Sequence, residues 1–381
     1  MPKNVVISGS EAIAEAVKLC KPKVLPMYPI TPSTLVPERL ADFVFDGELD
    51  AEMIHVESEH SAASALFGAY ATGVRAFTAS ASNGIALMHE IIPIISSARF
   101  PAVMSVANRT ISGPINIWND HSDAMSERDQ GWIQMYCESS QEAFDTIIMA
   151  YKIAEKEQVS LPVMVCIDGF ALSHVYEPVQ IEDQKKIDSF LPKYKPKTYL
   201  DPKKPTTVGP IGFPNSFFEF HEQEQIAMSE ALAEIPKVHK EFDNEFGRKY
   251  GNGLVELIKM KDAKYALIAN GTSVGTARVV VDKLRKEGKK VGLIKLKTFR
   301  PFPAEEIRKA CKNLKGLGVI DRHVSLGSEG AMTLDIKAAL SDEKCKVEGF
   351  ISGLGGRDID TKRLIKAFSI LEKGEKGVWL K

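Results

Sequence analysis

The chain has 381 residues, of which 44% are hydrophobic and 26% are charged, and its formal net charge is -1 at pH 7. A domain usually holds roughly 150 residues, so this length predicts two domains. The composition is that of an ordinary globular protein. The near-zero charge excludes nucleic acid as the main partner, because binding a run of phosphates needs a surplus of basic residues.

Neither a secretory signal nor a membrane span is predicted. The segment Met1–Ile7 lacks the apolar stretch and the small-residue cleavage site of a signal peptide. Apolar runs such as Ile91–Ser97 are far shorter than the roughly 20 residues that cross a bilayer. We therefore expect a cytoplasmic protein that makes no contact with a membrane.

The cysteines are scattered and form no C-x-x-C pair: Cys20, Cys137, Cys166, Cys311 and Cys345. A chain that binds an iron–sulfur cluster normally shows clustered thiolates. Separate thiols in a reducing compartment are the expected state. If this protein moves electrons, the cluster therefore belongs to another chain.

Short apolar runs alternate with helical patterns through the first half of the chain, which is typical of a parallel α/β sheet. In chain order, the predicted elements are strand Val24–Met27, helix Leu35–Phe45, strand Met53–Val56, helix Ser58–Ala71, strand Arg75–Ala79, helix Ile85–Ser97, strand Ala102–Ala107, helix Ala143–Glu157 and strand Val163–Ile167. A long irregular loop is predicted between Asn108 and Gly131.

The composition then shifts. Residues 177–215 contain seven prolines and little periodicity, which predicts a linker or an arm that wraps a neighbour. A charged helix over residues 217–250 leads into a second α/β unit. Its predicted elements are strand Tyr265–Ala269, helix Thr276–Glu287, strand Lys290–Leu296, helix Ala304–Cys311 and strand Gly316–Asp321.

Polar segments follow several predicted strands of the first half: Tyr28–Pro32, Glu57–Ser61, Ser82–Gly84 and Asn108–His121. Ligands of open parallel sheets bind at the carboxyl ends of the strands. We therefore expect one site in the first domain, formed by these segments together.

Glu59 is the first candidate catalytic residue. It follows Ser58, which can cap the helix, and an acid in the first turn is stabilised by the helix dipole. A capping role alone would explain a lone glutamate at this position. The alanines that follow predict a close-packed helix, however, so the carboxylate would project into a tight, dry crevice.

Arg109 and Thr31 are the next candidates. The planar guanidinium of Arg109 suits bidentate capture of a carboxylate, although a surface ion pair with Asp120 or Asp123 would also explain it. The Thr31 hydroxyl could bond a carboxylate or a carbonyl oxygen. Alternatively, Thr31 could cap a helix that has proline at its first position.

His60, His89 and His121 could act as acids or bases near neutral pH, or serve only structural roles. No pair of them has convincing zinc-ligand spacing, so we predict no metal on this chain. Asp120 and His121 lie in the same loop as Arg109, so we rank them above His60 and His89 as candidate site residues.

Two glycine-rich turns suggest nucleotide binding but lack its full patterns. Gly271–Gly275 lies between a strand and a helix without the G-x-G-x-x-G fingerprint, and Gly353–Asp358 follows no clear βαβ unit. No Walker A sequence occurs, so ATP chemistry has no support.

In order and spacing, these motifs resemble the pyruvate:ferredoxin oxidoreductase family, and more narrowly the separate alpha subunit of its multi-subunit form. The first-domain residues that carry the resemblance are Tyr28–Ser33, Ser58–Glu59, Ser82–Gly84, Asn108–Arg109, Asp120–His121 and Asp168–Phe170. The second-domain residues are Lys297–Pro303, Ile320–Arg322 and Gly353–Asp358. The resemblance covers nearly the whole chain. The first set is specific, and the second mainly supports the architecture.

The resemblance implies an α/β fold of two parallel-sheet domains. A pyrimidine-binding domain of a thiamine diphosphate enzyme would occupy residues 1–175. A proline-rich arm and connecting helix would follow at 176–250, and a transketolase C-terminal-like domain at 251–381.

The resemblance also implies thiamine diphosphate shared between two chains. A partner would bind the diphosphate through Mg²⁺ with a Gly-Asp-Gly motif, which is absent here. Glu59 would contact the aminopyrimidine and favour its imino tautomer, which acts as a general base. Pro29, Ser82 and Asn83 would also lie at the cofactor. The family often has glutamine at the position of Asn83, which leaves the role of Asn83 open.

The implied reaction is oxidative decarboxylation of pyruvate with coenzyme A to acetyl-CoA, CO₂ and reduced ferredoxin, or its reverse. Thr31 and Arg109 would bind the oxoacid, and Ile117 would form part of an apolar wall beside it. The [4Fe-4S] clusters would lie on partner subunits only. The expected partners are a diphosphate-binding beta chain, a ferredoxin-like delta chain and a gamma chain.

Other functions stay open at this point. The chain could belong to a branched-chain 2-oxoacid:ferredoxin oxidoreductase, or be the pyrimidine-binding chain of an NAD-linked 2-oxoacid dehydrogenase. A non-catalytic assembly subunit is a further alternative. The joint presence of Thr31, Glu59 and Arg109 disfavours a non-catalytic role, and the motif Tyr28–Pro32 favours the ferredoxin-linked family.

Overall fold

The structure is a computed structural model that describes residues 2–381. The strands are β1 (Lys3–Ser8), β2 (Val24–Met27), β3 (Glu52–His55), β4 (Phe77–Ser80), β5 (Val103–Asn108), β6 (Ile133–Tyr136), β7 (Val163–Asp168), β8 (Tyr176–Ile181), β9 (Val255–Ile258), β10 (Tyr265–Ala269), β11 (Val291–Leu296), β12 (Thr298–Arg300), β13 (Gly316–Asp321) and β14 (Lys346–Ile351). The helices are α1 (Gly9–Cys20), α2 (Leu35–Phe45), α3 (Glu59–Ala71), α4 (Ser82–Met88), α5 (Ile92–Ser97), α6 (Ser122–Ser126), α7 (Ser140–Ala154), α8 (Gln184–Phe190), α9 (Phe217–Phe246), α10 (Ser273–Lys286), α11 (Ala304–Cys311), α12 (Ala331–Ala339) and α13 (Thr361–Lys373).

The first domain is built on a sheet of order β12-β6-β7-β5-β4, in which the four strands from this domain run parallel. The parallel pair β2-β3 extends it. Val24 and Ala76 form a parallel bridge, and the Thr78 hydroxyl donates to the Pro26 carbonyl at 2.8 Å. Strands β5 and β7 are buried along their whole length, as expected for a parallel sheet covered on both faces.

The second domain has a sheet of order β14-β13-β10-β11-β9, parallel except for β9. The strands predicted at Tyr265–Ala269 and Gly316–Asp321 and the helix predicted at Ala304–Cys311 are confirmed with the same bounds. The predicted α/β class is thereby confirmed for both halves of the chain.

Two predictions about local structure are wrong. The helix predicted over 85–97 is two helices, α4 and α5, and Pro93 lies in the first turn of α5. The predicted arm is partly regular, because β8 pairs antiparallel with β1 and α8 follows it. Further along the arm, the Leu200 amide donates to the Ala71 carbonyl at 2.8 Å, so this part lies against the end of α3. Whether the arm also contacts another chain stays a prediction.

The two domains are joined by strand pairing and by buried charges. Strand β12 of the second domain pairs antiparallel with β6 of the first. Lys297 donates to Glu142 at 2.8 Å, and Lys295 donates to the same carboxylate at 2.7 Å. Burial opposes ionisation of Glu142, but the two lysines outweigh it and lower its pKa to about 2. This network fixes the second domain against α7.

No helix within residues 2–381 is long and apolar enough to cross a membrane.

Candidate active site

The site candidates gather at one edge of the first sheet. Strands β2, β4, β5 and β7 are parallel to their neighbours, so their carboxyl ends meet at this edge. Asn108 and Asp168, the last residues of β5 and β7, stand side by side in register. The predicted convergence of the polar segments on one edge follows directly from this topology.

Glu59 lies buried in the first turn of α3. Ser58 caps the helix as predicted, accepting a hydrogen bond from the Ser61 amide at 3.2 Å. Glu59 is only 7% exposed, and no described residue donates a hydrogen bond to its carboxylate. A Cβ at Gly84 would come within 2.7 Å of Glu59 Oε1 and 2.5 Å of Ser80 Oγ. The chain therefore presents a buried carboxylate without giving it a partner.

The turn at the start of α4 packs against Glu59. Ser82 adopts a left-handed backbone conformation (φ 51°), and its hydroxyl donates to the Thr110 carbonyl at 2.6 Å. Asn83 is exposed, and its side-chain oxygen accepts from the Ser112 amide at 2.9 Å. These bonds connect the turn to the segment that follows Arg109.

Arg109 is buried, at 8% exposure, without an ion pair among the described residues. Its Nη1 donates to the Thr31 carbonyl at 2.9 Å, and its Nε donates to the Asn116 carbonyl at 3.0 Å. Burial lowers the pKa of Arg109 from its ordinary value. The alternative of a surface ion pair is wrong, and a buried cation with only neutral acceptors favours an anionic ligand.

Thr31 is exposed at the same edge. Helix α2 begins at Leu35 with Thr34 at the N-cap, so Thr31 does not cap that helix. Pro29 is exposed on the same loop, and Ile117 is half-buried in the loop after Arg109. Hydrogen bonds thus connect Thr31, Arg109 and the Ser82–Asn83 turn. Pro29 and the Ile117 side chain take no part in these bonds.

Asp120 and His121, which ranked high as site candidates, are buried against the second domain. His121 Nε2 and Asp168 Oδ1 are 2.7 Å apart, and Arg322 Nη1 lies 2.5 Å from Asp168 Oδ2. The amide of Thr272 donates to the same oxygen at 2.8 Å. Burial opposes ionisation of Asp168, but Arg322 and His121 outweigh it and hold its pKa well below the usual range. Asp168 and His121 therefore form part of the domain contact.

Asp123 is the site residue that the sequence did not reveal. Its Oδ2 accepts from the amides of Ser82 and Arg109, both at 2.9 Å. Its Oδ1 accepts from Asn108 Nδ2 and from the Ala124 amide, both at 2.8 Å. Burial nevertheless raises its pKa to about 7. One fully buried carboxylate thus fixes both the Ser82 turn and the backbone of Arg109.

No group of three or more potential metal-ligating side chains occurs within residues 2–381.

We predict that Asp123→Asn destabilises the protein. An amide has one acceptor oxygen where the carboxylate has two, so two buried N–H donors would lose their acceptor, which costs about 2–6 kcal/mol in total. Urea unfolding of the variant measures this loss. Asp129→Asn is the control, since the Asp129 side chain is 66% exposed and its removal should leave the unfolding midpoint unchanged. Equal midpoints for both variants would contradict the role given to Asp123.

Two families match the chain in sequence. The family described as pyruvate flavodoxin/ferredoxin oxidoreductase, thiamine diphosphate-binding, matches residues 15–240. The family described as pyruvate:ferredoxin oxidoreductase core domain II matches residues 263–364. The first match contains the candidate site residues of the first domain, and the second contains the parallel strands β10, β11, β13 and β14 of the second-domain sheet.

Curated relatives are similar over nearly the whole chain. Pyruvate synthase subunit PorA of Methanocaldococcus jannaschii is 51% identical over 372 residues, covering 97% of this chain and 95% of the relative. The subunit of the same name from Thermotoga maritima is 46% identical, covering 96% and 94%. Ketoisovalerate oxidoreductase subunit VorA of Pyrococcus horikoshii is 42% identical, covering 97% and 93%.

Two solved structures share the fold. One is a 2-oxoglutarate:ferredoxin oxidoreductase from Magnetococcus marinus, with a TM-score of 0.72 and 16% identity, covering 97% of this chain and 65% of that chain. The other is a split-gene transketolase, with a TM-score of 0.55 and 10% identity, covering 96% and 97%. With a family match over more than half of its residues and curated relatives of about half-identical sequence, this chain belongs to the pyruvate flavodoxin/ferredoxin oxidoreductase family.

Proposed function

We propose that this chain is the subunit of a pyruvate:ferredoxin oxidoreductase that holds the aminopyrimidine end of thiamine diphosphate and binds the oxoacid. The observation that carries the proposal is the Glu59 carboxylate, which is buried without a hydrogen-bond donor from the described residues. Because no described residue donates to this carboxylate, both of its oxygens are available to accept a hydrogen bond from a ligand.

The α4 turn packs closely against Glu59. A Cβ at Gly84 would come within 2.7 Å of Glu59 Oε1, so only glycine lets the turn approach the carboxylate, and Ser80 Oγ is buried nearby without a partner. Glu59 would bond a nitrogen of the aminopyrimidine, with Ser82, Asn83 and Pro29 at the rim. Thiamine diphosphate, when bound, would supply the nucleophilic carbon and the electron sink that decarboxylation of a 2-oxoacid requires. Glu59 would tune the basicity of the ring on which this chemistry depends.

Arg109 and Thr31 would bind the oxoacid. Two contacts to backbone carbonyls fix the Arg109 guanidinium, and its Nη2 makes no hydrogen bond to a described residue. A carboxylate at Nη2 would compensate the buried charge, and the exposed Thr31 hydroxyl can donate to an adjacent oxygen. The loop that supplies the Asn116 carbonyl also carries Ile117 and Trp118, which would present an apolar wall to the methyl group of pyruvate.

The rest of the enzyme would come from other chains. No Gly-Asp-Gly motif is present, so a beta chain would bind the diphosphate and Mg²⁺. All five cysteines are buried, and only Cys311 and Cys345 contact each other, so no four thiolates are available to bind a cluster. Gamma and delta chains would therefore carry the [4Fe-4S] clusters and reduce ferredoxin. Coenzyme A would accept the acyl group in the cytoplasm. Within this chain, the pyrimidine-binding domain would comprise residues 1–175, the proline-rich arm and connecting helix residues 176–250, and the transketolase C-terminal-like domain residues 251–381.

A branched-chain 2-oxoacid is the second candidate substrate. The VorA relative is named for ketoisovalerate and is 42% identical, only slightly less than several PorA relatives. An apolar pocket discriminates weakly between alkyl groups, at about 1–3 kcal/mol per methylene. A second carboxylate, as in 2-oxoglutarate, would be disfavoured against Ile115, Ile117 and Trp118.

Glu59→Gln should leave assembly intact and lower the turnover of the assembled complex by about 10²–10⁴, the usual contribution of acid–base catalysis. The measurement is pyruvate-dependent reduction of a viologen dye. Glu57→Gln is the matched control, because Glu57 lies at the same helix terminus but is exposed. If Glu59→Gln keeps more than half of the wild-type activity, Glu59 is only a helix-terminal acid.

Arg109→Lys should raise the KM for pyruvate and lower kcat, because an ammonium cannot contact both backbone carbonyls and a carboxylate in one plane. Steady-state kinetics with pyruvate, 2-oxoisovalerate and 2-oxoglutarate measures the change. Arg99→Lys is the control. Arg99 also donates to two backbone carbonyls, those of Ser160 and Val159, but it precedes β5 and lies away from the carboxyl edge. The assignment fails if 2-oxoglutarate is the best substrate or if Arg109→Lys matches its control.

A further inference from the structure

The glycine-rich segment Gly353–Gly356 of the second domain, here called the glycine turn, lies against the loop 109–121 of the first domain. Asn116 Nδ2 donates to the Gly355 carbonyl at 3.2 Å. In return, the Gly355 amide donates to Asp120 Oδ2 at 3.2 Å, and the Gly356 amide donates to the Asn119 carbonyl at 2.7 Å. The loop is therefore bonded to the second domain at three successive points.

The contact is so close that only glycine fits. Gly355 and Gly356 have φ angles of +58° and +82°, which disfavour any residue with a side chain. A Cβ at Gly355 would lie 2.6 Å from Asn116 Nδ2, and a Cβ at Gly356 would lie 2.3 Å from Trp118 Cβ. The second of these atoms is attached directly to the backbone, so the loop itself would have to move.

Asn116 connects the glycine turn to the proposed substrate arginine. Its side chain contacts Gly355, and its backbone carbonyl accepts from Arg109 Nε at 3.0 Å. A shift of the glycine turn would displace this carbonyl and rotate the guanidinium away from its position. A second contact holds the end of the loop, where the His121 amide donates to the Arg322 carbonyl at 2.9 Å.

We infer that Gly355 and Gly356 are positioning residues that set the oxoacid preference by holding the loop 109–121 in place. The inference rests on the proposed role of this loop in oxoacid binding. It gives a function to a motif whose sequence suggested a nucleotide site. The second domain contributes to specificity without contacting the substrate.

The test compares Gly356→Ala with Gly374→Ala in the assembled complex. Gly374 also has a left-handed φ, +70°, but a Cβ there would meet nothing within 4 Å. Both variants thus introduce similar backbone strain, and only Gly356→Ala displaces the loop. Hydrogen–deuterium exchange of the peptides covering 109–122 reports loop order, and kinetics with pyruvate and 2-oxoisovalerate reports selection.

For Gly356→Ala we expect exchange in the loop to accelerate about tenfold, the effect of losing roughly one hydrogen bond. We also expect kcat/KM for pyruvate to fall by about 10–10²-fold, mainly through KM, with a changed ratio between the two oxoacids. Gly374→Ala should change neither quantity. Unchanged exchange in Gly356→Ala would overturn the inference. Faster exchange with unchanged oxoacid kinetics would show that the glycine turn orders the loop, but it would refute the role of the loop in substrate selection.

Asn116→Asp keeps the test decisive if Gly356→Ala fails to fold. The change is isosteric and retains the acceptor for the Trp118 amide, but it removes the donor to the Gly355 carbonyl. The same two measurements apply. Exchange in 109–122 decides this test, because a carboxylate on the residue that contacts Arg109 would change KM by itself. Faster exchange supports the inference, and exchange equal to wild type overturns it.

Discussion

The structure depends on one buried carboxylate, that of Asp168 at the end of β7. It is 1% exposed and is bonded by His121 from the first domain and by Arg322 and Thr272 from the second. Removing one partner of a buried ion pair typically costs about 3–5 kcal/mol, so these groups strongly favour the arrangement in which all of them contact Asp168. A Cβ at Gly271, which has a φ of +59°, would approach Asp168 Oδ1 to 2.8 Å. Together with the β12–β6 pairing and the lysine contacts to Glu142, this contact fixes the second domain and with it the position of the loop 109–121.

Two kinds of buried charge occur in the first domain. Asp168 and Asp123 accept hydrogen bonds from several donors within the chain, whereas no described residue donates to the Glu59 carboxylate and no described carboxylate hydrogen-bonds to the Arg109 guanidinium. These two groups, one of each sign, are buried at the edge where ligands of parallel sheets bind. This pattern is expected of half a site, in which a cofactor and a substrate complete the electrostatics. It agrees with the family of the chain, whose curated relatives are named as subunits.

The sequence predicted eight strands, including the central strand of each large sheet, and the edge that carries the candidate site, because apolar runs bounded by turn residues report local structure directly. It missed β1, β6, β8, β9 and β14. It could not predict β12, since a strand of Thr298–Arg300 is too short to show a period and pairs with the other domain. The four hydrogen bonds of Asp123 were equally hidden, because three of its donors are backbone amides that carry no sequence signal. The contact of Asp168 with Arg322 joins residues far apart in the chain, and only the docked domains bring them together.

The most direct test of the account is the structure of the assembled complex by electron cryo-microscopy with thiamine diphosphate and Mg²⁺ bound. We expect the Glu59 carboxylate to lie within hydrogen-bond distance of an aminopyrimidine nitrogen. The diphosphate and the metal should be bound by the partner chain alone. An aminopyrimidine bound to a carboxylate of the partner, with Glu59 still packed against Gly84 and free of ligand, would contradict it.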